Sequence, residues 1–427
     1  MEGLEAWIRR HGRCEGVAFQ VGSRGRGAFA AESLQGVEEL CRLPAKLLIT
    51  EARAAAGLPW GAQLREAAEE FTGAPGLLVL TSFLLHEDAK KHAASESACD
   101  SFYAPYYRAL PKDLNTPMLW PEAWHPNCIR GSHLERLIKA KRHSLALEFT
   151  LLQSHHEKPI SWEDFLWARS IVASRAYALP ELHRCLVPWA DLLNHGTAEE
   201  VAVRYTFEGN ADDGEFVMTL CRPLVANEEL LQSYGRKPNA LLLLDYGFVL
   251  PYAHAVVSLP LRPPAKEAQL AQHIWRRLGG RDRETSLEVD SASWTKLLPL
   301  WRAASLEGRE TIPEEAEVLT QSVKDVWEIS LEIRALRRFQ EACDAALQKL
   351  QPAEAGAPAK AEWEIFAERC CTQVVQEERS LLNWFSWLIE AAVSCLEGPR
   401  RDWPGLDGPS EVTAYLGQLQ AMSAPHS

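Results

Sequence analysis

Residues 1–60 hold short runs rich in apolar positions, broken by turn residues. The runs over residues 17–21 and 28–31 flank the glycine-rich SRGRG, a third covers 37–43, and Pro44 and Pro59 punctuate. That pattern predicts short strands. From about residue 60 to 176 the apolar spacing becomes helical. Leu77, Leu78, Leu80, Phe83, Leu84 and Leu85 mark a strongly apolar helix, and Gly131 and Ser132 open another that runs to about His156. Ser161 with Asp164 three residues on is a shortened capping box for a helix carrying Trp162, Phe165, Leu166 and Trp167. Residues 186–259 return to strands. Val201, Val203, Tyr205 and Phe207 alternate with Ala202, Arg204 and Thr206, the period of a half-buried strand. Asp212-Asp213-Gly214 reads as a hairpin turn before a strand over 216–221. Pro238-Asn239 then starts a helix containing Leu241 to Leu244, with Asn239 placed as its N-cap.

Beyond residue 259 the pattern is helical to the end. Pro313 suits a first helical position. Leu319, Val323, Val326, Ile329, Ile333, Leu336, Cys343 and Leu347 recur at helical spacings and predict one apolar face of a long helix. QPAEAGAPAK reads as a loop, and a second long helix carries Phe366, Val374, Val375, Leu381, Leu382, Phe385 and Leu388. The stretch EGPRRDWPGLDGPS is turn-rich. Two blocks emerge: a strand-rich unit over 1–259 with a helical insert at about 60–170, and an all-helical unit over 260–427. The fold class is α+β.

Composition narrows the classes. The chain has 427 residues, 47% apolar and 24% charged, which is ordinary globular usage. No apolar run reaches the ~18–20 residues of a membrane span. The formal charge is −13, with no basic stripe, so no nucleic-acid partner is expected. An acidic surface suits basic or neutral protein partners. The 10 cysteines are scattered without a CxxC pair, which predicts reduced thiols in an intracellular protein and no zinc site. Cys370-Cys371 read as buried helix thiols. The start of the chain lacks a long apolar stretch, so no secretory signal is expected.

Three motifs carry candidate chemistry. Gly25-Arg26-Gly27 lies between two predicted strands, as a plain turn or as a place where backbone approaches a ligand closely. PWADLLNH ends on Asn194-His195, a loop histidine or part of a site; no further ligand stands at metal spacing. SYGRKPNALLLLDYGF holds Tyr234 and Tyr246, each followed by glycine, as core residues or as site residues.

Taken in order, GRGAF, SRAY, PWADLLNH, SYGRKPN and DYGFV resemble the SET-domain methyltransferases. The closer resemblance is to the subgroup of the plant Rubisco large-subunit lysine methyltransferase and its animal relatives. AWIRRHG is similar to the opening helix of that family, LTSFLLHED and SFYAPYYRALP to its helical insert, and the C-terminal block to its substrate-binding domain. The resemblance implies a curved β-fold with a pseudoknot, S-adenosylmethionine as cofactor, no metal, and transfer of methyl groups to a lysine of a folded non-histone protein. Rubisco large subunit or another metabolic enzyme is the implied acceptor. By matching positions Tyr234 is the catalytic tyrosine. Arg24, Gly25, Arg26, Arg175, Asn194, His195 and Phe248 would hold the cofactor. Ser174 and Asp191, through their carbonyls, and Tyr246 would line the channel for the target amine. A histidine acceptor and a non-catalytic binding module are the alternatives. The expected form is a cytoplasmic monomer that touches neither membrane nor nucleic acid, with the chloroplast stroma or the nucleus as other compartments.

The chain departs from the family at three places. Asn227 stands where a glycine is usual, Arg236-Lys237-Pro238 replaces small polar residues, and LPYAHAVV follows the second Tyr-Gly pair. Asn tolerates a left-handed backbone, so the first change is expected to cost little.

Overall fold

The computed structural model describes residues 2–422 except 37–38, 94–100, 122–123, 125, 157, 252–253, 267, 282–284, 307–320, 322–323, 327, 351–360 and 398–409. The expected Pro313 start, the Leu319 and Val323 positions, the QPAEAGAPAK loop and most of the EGPRRDWPGLDGPS stretch lie outside the described residues.

The chain divides into two compact units. The first comprises residues 1–121, 139–237 and 244–247; the second comprises 122–138, 238–243 and 248–427. The second therefore includes a piece of the helical insert and part of the helix after Lys237, where the sequence placed a single boundary at residue 259.

The first unit opens with α1 (Glu2–His11), then strands β1 (Arg13–Cys14), β2 (Val17–Gly22), β3 (Gly25–Ala30), β4 (Glu39–Pro44) and β5 (Ile49–Thr50). The insert supplies α2 (Glu51–Ala56), α3 (Gly61–Phe71), α4 (Pro75–Ala93), α5 (Ala104–Ala109), α6 (His133–His155) and α7 (Trp162–Arg175). Strands β6 (Ala176–Leu179), β7 (His183–Leu186), β8 (Asn194–His195), β9 (Val203–Glu208), β10 (Glu215–Leu220) and β11 (Glu229–Gln232) follow, with α8 (Asn239–Tyr246) after them. They form three small sheets in the orders β1-β4-β10-β9, β2-β3-β11-β8 and β5-β7-β6. The expected hairpin is present: β9 pairs with β10 from Val203↔Leu220 to Glu208↔Glu215. β11 runs antiparallel to β3 and parallel to β8, which brings residues 194–195 beside 231–232.

Local chemistry sets the helix ends. Ser161 Oγ accepts from the Asp164 amide at 3.0 Å and Thr50 Oγ1 from Arg53 at 3.1 Å, satisfying donors the helix leaves orphaned. Inside the insert, Arg169 donates to Glu148 at 2.7 Å, tying α7 to α6. His156 hydrogen-bonds Ser82 Oγ at 2.8 Å, and its ring lies 4.5 Å from that of Trp60. Burial, then the neighbouring His86 and His155, hold His156 down at about 4. The unfolded chain binds its proton below about 6.5, the folded chain only below 4, so this stabilisation is complete above the first value and is lost as pH falls toward the second. Between about pH 7 and pH 5 the melting temperature of the wild type should fall more than that of His156→Gln; parallel falls would contradict the assignment.

The second unit contains β12 (Val257–Leu261), α9 (Gln269–Arg277), β13 (Thr285–Val289), α10 (Leu298–Ala304), α11 (Ile329–Lys349), α12 (Glu362–Glu397) and α13 (Ser410–Met422). It is helix-rich, as the periodicity predicts, but β12, at the end of the stretch expected to be strand, pairs antiparallel with β13, a strand where helix was expected. The long-helix stripe begins at Ile329; Val326 lies before the helix, whose N-cap is Glu328. Asn239 does not cap α8. Its side chain brackets Leu250, donating to the carbonyl and accepting from the amide at 2.8 Å each, because the chain turns back over it after Gly247. Trp294, Trp301, Phe339 and Phe385 form the aromatic core between α10, α11 and α12. Cys370 and Cys371 are buried on α12, as expected.

Candidate active site

A short turn carries the site. After Val187 the chain passes through Trp189, at φ 82°, into the 3₁₀ turn Ala190–Leu192 and then β8. Side chains hold three of this turn's carbonyls. Arg175, the last residue of α7, donates to the Asp191 carbonyl at 2.6 Å. Tyr177 Oη donates to Ala190 O at 2.9 Å. Gln232 Nε2 donates to Ala190 O at 3.1 Å and Leu193 O at 3.2 Å, and Tyr234 Oη also donates to Leu193 O, at 2.8 Å. Four side chains from α7, β6, β11 and the loop after β11 thus fix the carbonyls of a turn whose Asp191, Leu192 and Leu193 amides bond back to Val187, Trp189 and Ala190.

The rings stack beside this turn. The His195 and Tyr234 centroids are 5.0 Å apart at 18°, and those of Tyr234 and Tyr246 are 4.8 Å apart at 23°. Both tyrosines precede a glycine with positive φ, Gly235 at 88° and Gly247 at 79°. At Gly247 a Cβ would come within 2.7 Å of the Asn115 carbonyl. Glycine is required there for both space and backbone conformation, which explains the repeated Tyr-Gly pair.

Tyr234 Oη, Tyr246, Ser174, Arg175, Asp191, Tyr177, Tyr205, Gln232, Arg184 and Lys237 surround a pocket of about 280 Å³. Burial raises the Tyr234 phenol well above its ordinary value and pushes Tyr246 up to about 12, so both stay protonated near neutrality. Burial likewise lowers His195. Its Nδ1 lies 3.1 Å from the Tyr234 amide and 3.2 Å from the Gln232 carbonyl, which ties the ring to the strand end beside it. Asp191 is fully enclosed; burial pushes its carboxyl up to about 6 against the pull of Arg175. Tyr106, from α5, donates to it, while Asp191 Oδ1 and Arg175 Nε are buried without a partner.

The glycine hairpin pairs with β11 on the side opposite β8. Gly22 and Gly25 pair across a turn at Ser23-Arg24, so Gly25-Arg26-Gly27 is strand rather than turn. Asn194 Nδ2 donates to Arg26 O at 3.2 Å and to Glu229 at 2.8 Å. A Cβ on Gly27 would stand 2.4 Å from Glu229 Oε1 and 2.8 Å from Asn194 Nδ2. Glycine there admits both side chains against the β3 backbone. Arg24 pairs with Glu200 at 2.6 Å and reaches Glu229 at 3.5 Å. Arg26 donates to Ala109 O in the insert.

Of the residues singled out in the sequence, Tyr234, Tyr246, Ser174, Arg175 and Asp191 meet at the pocket, and Arg26 and Asn194 meet beside it. Arg24 and Gly25 lie at the tip of the β2–β3 hairpin. The Ser174 hydroxyl is spent on its own helix, donating to Ser170 O at 2.8 Å, which leaves only its main chain for a site role. Phe248 belongs to the second unit. Tyr106, Tyr177 and Gln232 were not singled out, although two of them lie inside quoted runs, SFYAPYYRALP and SRAY; their partners are distant in sequence, so no spacing could reveal them. Asn227 is at φ 65°, the left-handed backbone expected of it.

The SET domain family matches residues 25–235, the stretch that contains most of this machinery; Arg24, Lys237 and the Tyr246-Gly247 pair are among the residues outside it. Residues 25–235 form a SET domain. The chain is 27% identical over 250 residues to the chloroplast Rubisco large-subunit N-methyltransferase of Pisum sativum, covering 55% of this chain and 48% of that enzyme. It is 27% identical over 356 residues to human SET domain-containing protein 4, covering 76% and 77%. The chain thus spans about half the length of the pea enzyme it matches and most of the human protein. Among solved structures, the SET domain of LSMT bound to lysine and AdoHcy superposes with a TM-score of 0.75 at 20% identity over 93% of this chain and 92% of that one, a likeness of fold. In this SET domain no helix among the described residues is long and apolar enough to cross a membrane.

Proposed function

We propose that this chain is an S-adenosylmethionine-dependent protein-lysine N-methyltransferase acting on a folded non-histone protein. The observation that carries the reading is the pocket in which the Tyr234 hydroxyl, the Asp191 turn and the Tyr246 ring face one small space. The cofactor fit rests on the buried, unpartnered Arg175 Nε and Asp191 Oδ1 at the pocket. Arg26, Asn194 and His195 would hold the cofactor, with Arg24 and Gly25 at the hairpin tip. When bound, S-adenosylmethionine supplies an electrophilic methyl group.

The chain's own residues then have three tasks. Enclosure in the pocket and the cations that line it, Arg175, Arg184 and Lys237, disfavour an ammonium and so favour the neutral amine that can attack; free lysine, at pKa ~10.4, must first lose a proton. The Tyr234 hydroxyl donates to Leu193 O, which leaves its lone pairs to accept an amine N–H and aim the nitrogen. Since burial keeps that phenol protonated, Tyr234 is an orienting group and not the base; the proton leaves to water. The clamped carbonyl of Asp191 and the main-chain carbonyl of Ser174 would offer weak acceptors to polarised methyl hydrogens. Catalysis is then mainly positioning.

Within the reading, the acceptor is a protein such as Rubisco large subunit or another metabolic enzyme, and the enzyme is a monomer. The cytoplasm is the proposed compartment, with the chloroplast stroma as the other, since the pea relative is chloroplastic. Asn194→Ala removes the bonds to the Arg26 carbonyl and to Glu229, which keeps Arg24. Calorimetric affinity for S-adenosylmethionine should fall about fivefold to tenfold, the effect of one buried hydrogen bond. An unchanged affinity would remove Asn194 from the cofactor site.

A further inference from the structure

The pocket is cationic in a chain whose formal charge is −13. Arg175, Arg184 and Lys237 line it, against one carboxyl, Asp191. Arg175 is committed to the Asp191 carbonyl and the Asp191 carboxyl to Tyr106. Arg184 and Lys237 have no such engagement. Arg184 stands on β7 directly opposite Ala178 and is exposed. Lys237 is half-buried, its Nζ 6.0 Å from the centroid of the Tyr246 ring.

Carboxylates that could neutralise them are used elsewhere. Lys141 holds Asp245, and Arg24 holds Glu200 and Glu229. In the adjoining cavity, which Arg184 also lines, Glu51 and Glu69 share Arg65 at 3.1 and 3.4 Å. Glu181, in the β6–β7 turn, lines neither cavity. Among the described residues neither Arg184 nor Lys237 has a carboxylate within 4.0 Å. Two uncompensated cations at the entrance for the target side chain favour an anion arriving with it, and repel a basic one.

We propose that Arg184 and Lys237 determine specificity by reading an acidic residue beside the target lysine, so that acceptors present that lysine next to Asp or Glu. This rests on the lysine-methylation reading. The bland alternative is two solvated surface cations, and salt and charge-swap measurements separate the two.

The test uses the full chain, methyl-labelled S-adenosylmethionine and native extract, with labelled sites mapped by mass spectrometry. Mapped lysines should have Asp or Glu close by in sequence or on the adjoining surface. The Arg184→Gln/Lys237→Gln double variant should label those sites about fivefold to tenfold more slowly at low salt, each exposed pair contributing its usual small amount. The gap should close at ~0.3 M salt, and the charge-preserving Arg184→Lys/Lys237→Arg variant should restore the rate. Calorimetric binding of S-adenosylmethionine reports that each variant is folded. Labelled lysines without acidic neighbours, or a double variant as fast as wild type, overturn the inference and leave methyl transfer standing. No labelled lysine with any variant overturns the methyl-transfer reading itself.

Discussion

Tyr234→Phe should slow single-turnover methyl transfer by about 10²–10³-fold, the effect of removing one preorganised polar group at a reacting centre, with cofactor affinity unchanged. The substitution deletes one oxygen. The ring stays between His195 and Tyr246, so the stack and the pocket wall persist. What goes is the hydroxyl that donates to Leu193 O and presents its lone pairs to the pocket. Leu193 O keeps its bond from Gln232, so the turn stays in place. The loss should therefore appear in the chemical step and not in binding. Calorimetry and a rapid-quench time course read the two separately. An unchanged rate with intact affinity would remove Tyr234 from the orienting role.

The largest stability effect is expected in the second unit. Arg302 and Glu332 are 3% and 1% exposed, and they meet at 2.6 and 3.0 Å in a bidentate pair that Tyr415 also joins. Removing one partner strands a charge where water cannot reach it. Glu332→Ala should lower unfolding free energy by about 3–5 kcal/mol, most of it the cost of the orphaned guanidinium. The double change Arg302→Met/Glu332→Leu should recover most of that loss, because apolar side chains of similar volume need no counter-charge. Denaturant titration of both variants tests the pair. A Glu332→Ala loss below about 1 kcal/mol, the range of an exposed pair, would mean the guanidinium finds solvent.

Local signals were readable from sequence, and long-range ones were not. Alternation of Val203, Tyr205 and Phe207 marked β9 because a strand with one buried face must alternate. Ser161 and Asp164 marked the start of α7 because the cap is made within three residues. β13 escaped because it is short and its partner β12, at the end of the stretch read as strand, is separated from it by α9. Asn239 looked like a cap, since Asn at a helix start usually is one; only the return of the chain at Leu250 gives its amide a different use. The site divides the same way. Tyr234 and Tyr246 are tied to their glycines by backbone needs that appear as a motif. Tyr106, Tyr177 and Gln232 work by reaching a turn that is distant along the chain.

The central claim is transfer of a methyl group to a protein lysine. The most direct measurement incubates the full chain with methyl-labelled S-adenosylmethionine and native extract from the source organism, then identifies the labelled residue by mass spectrometry. Methyl label on lysine in a protein, absent or strongly reduced with Tyr234→Phe, is the predicted result. Label on histidine, or no protein labelled at all, would contradict it.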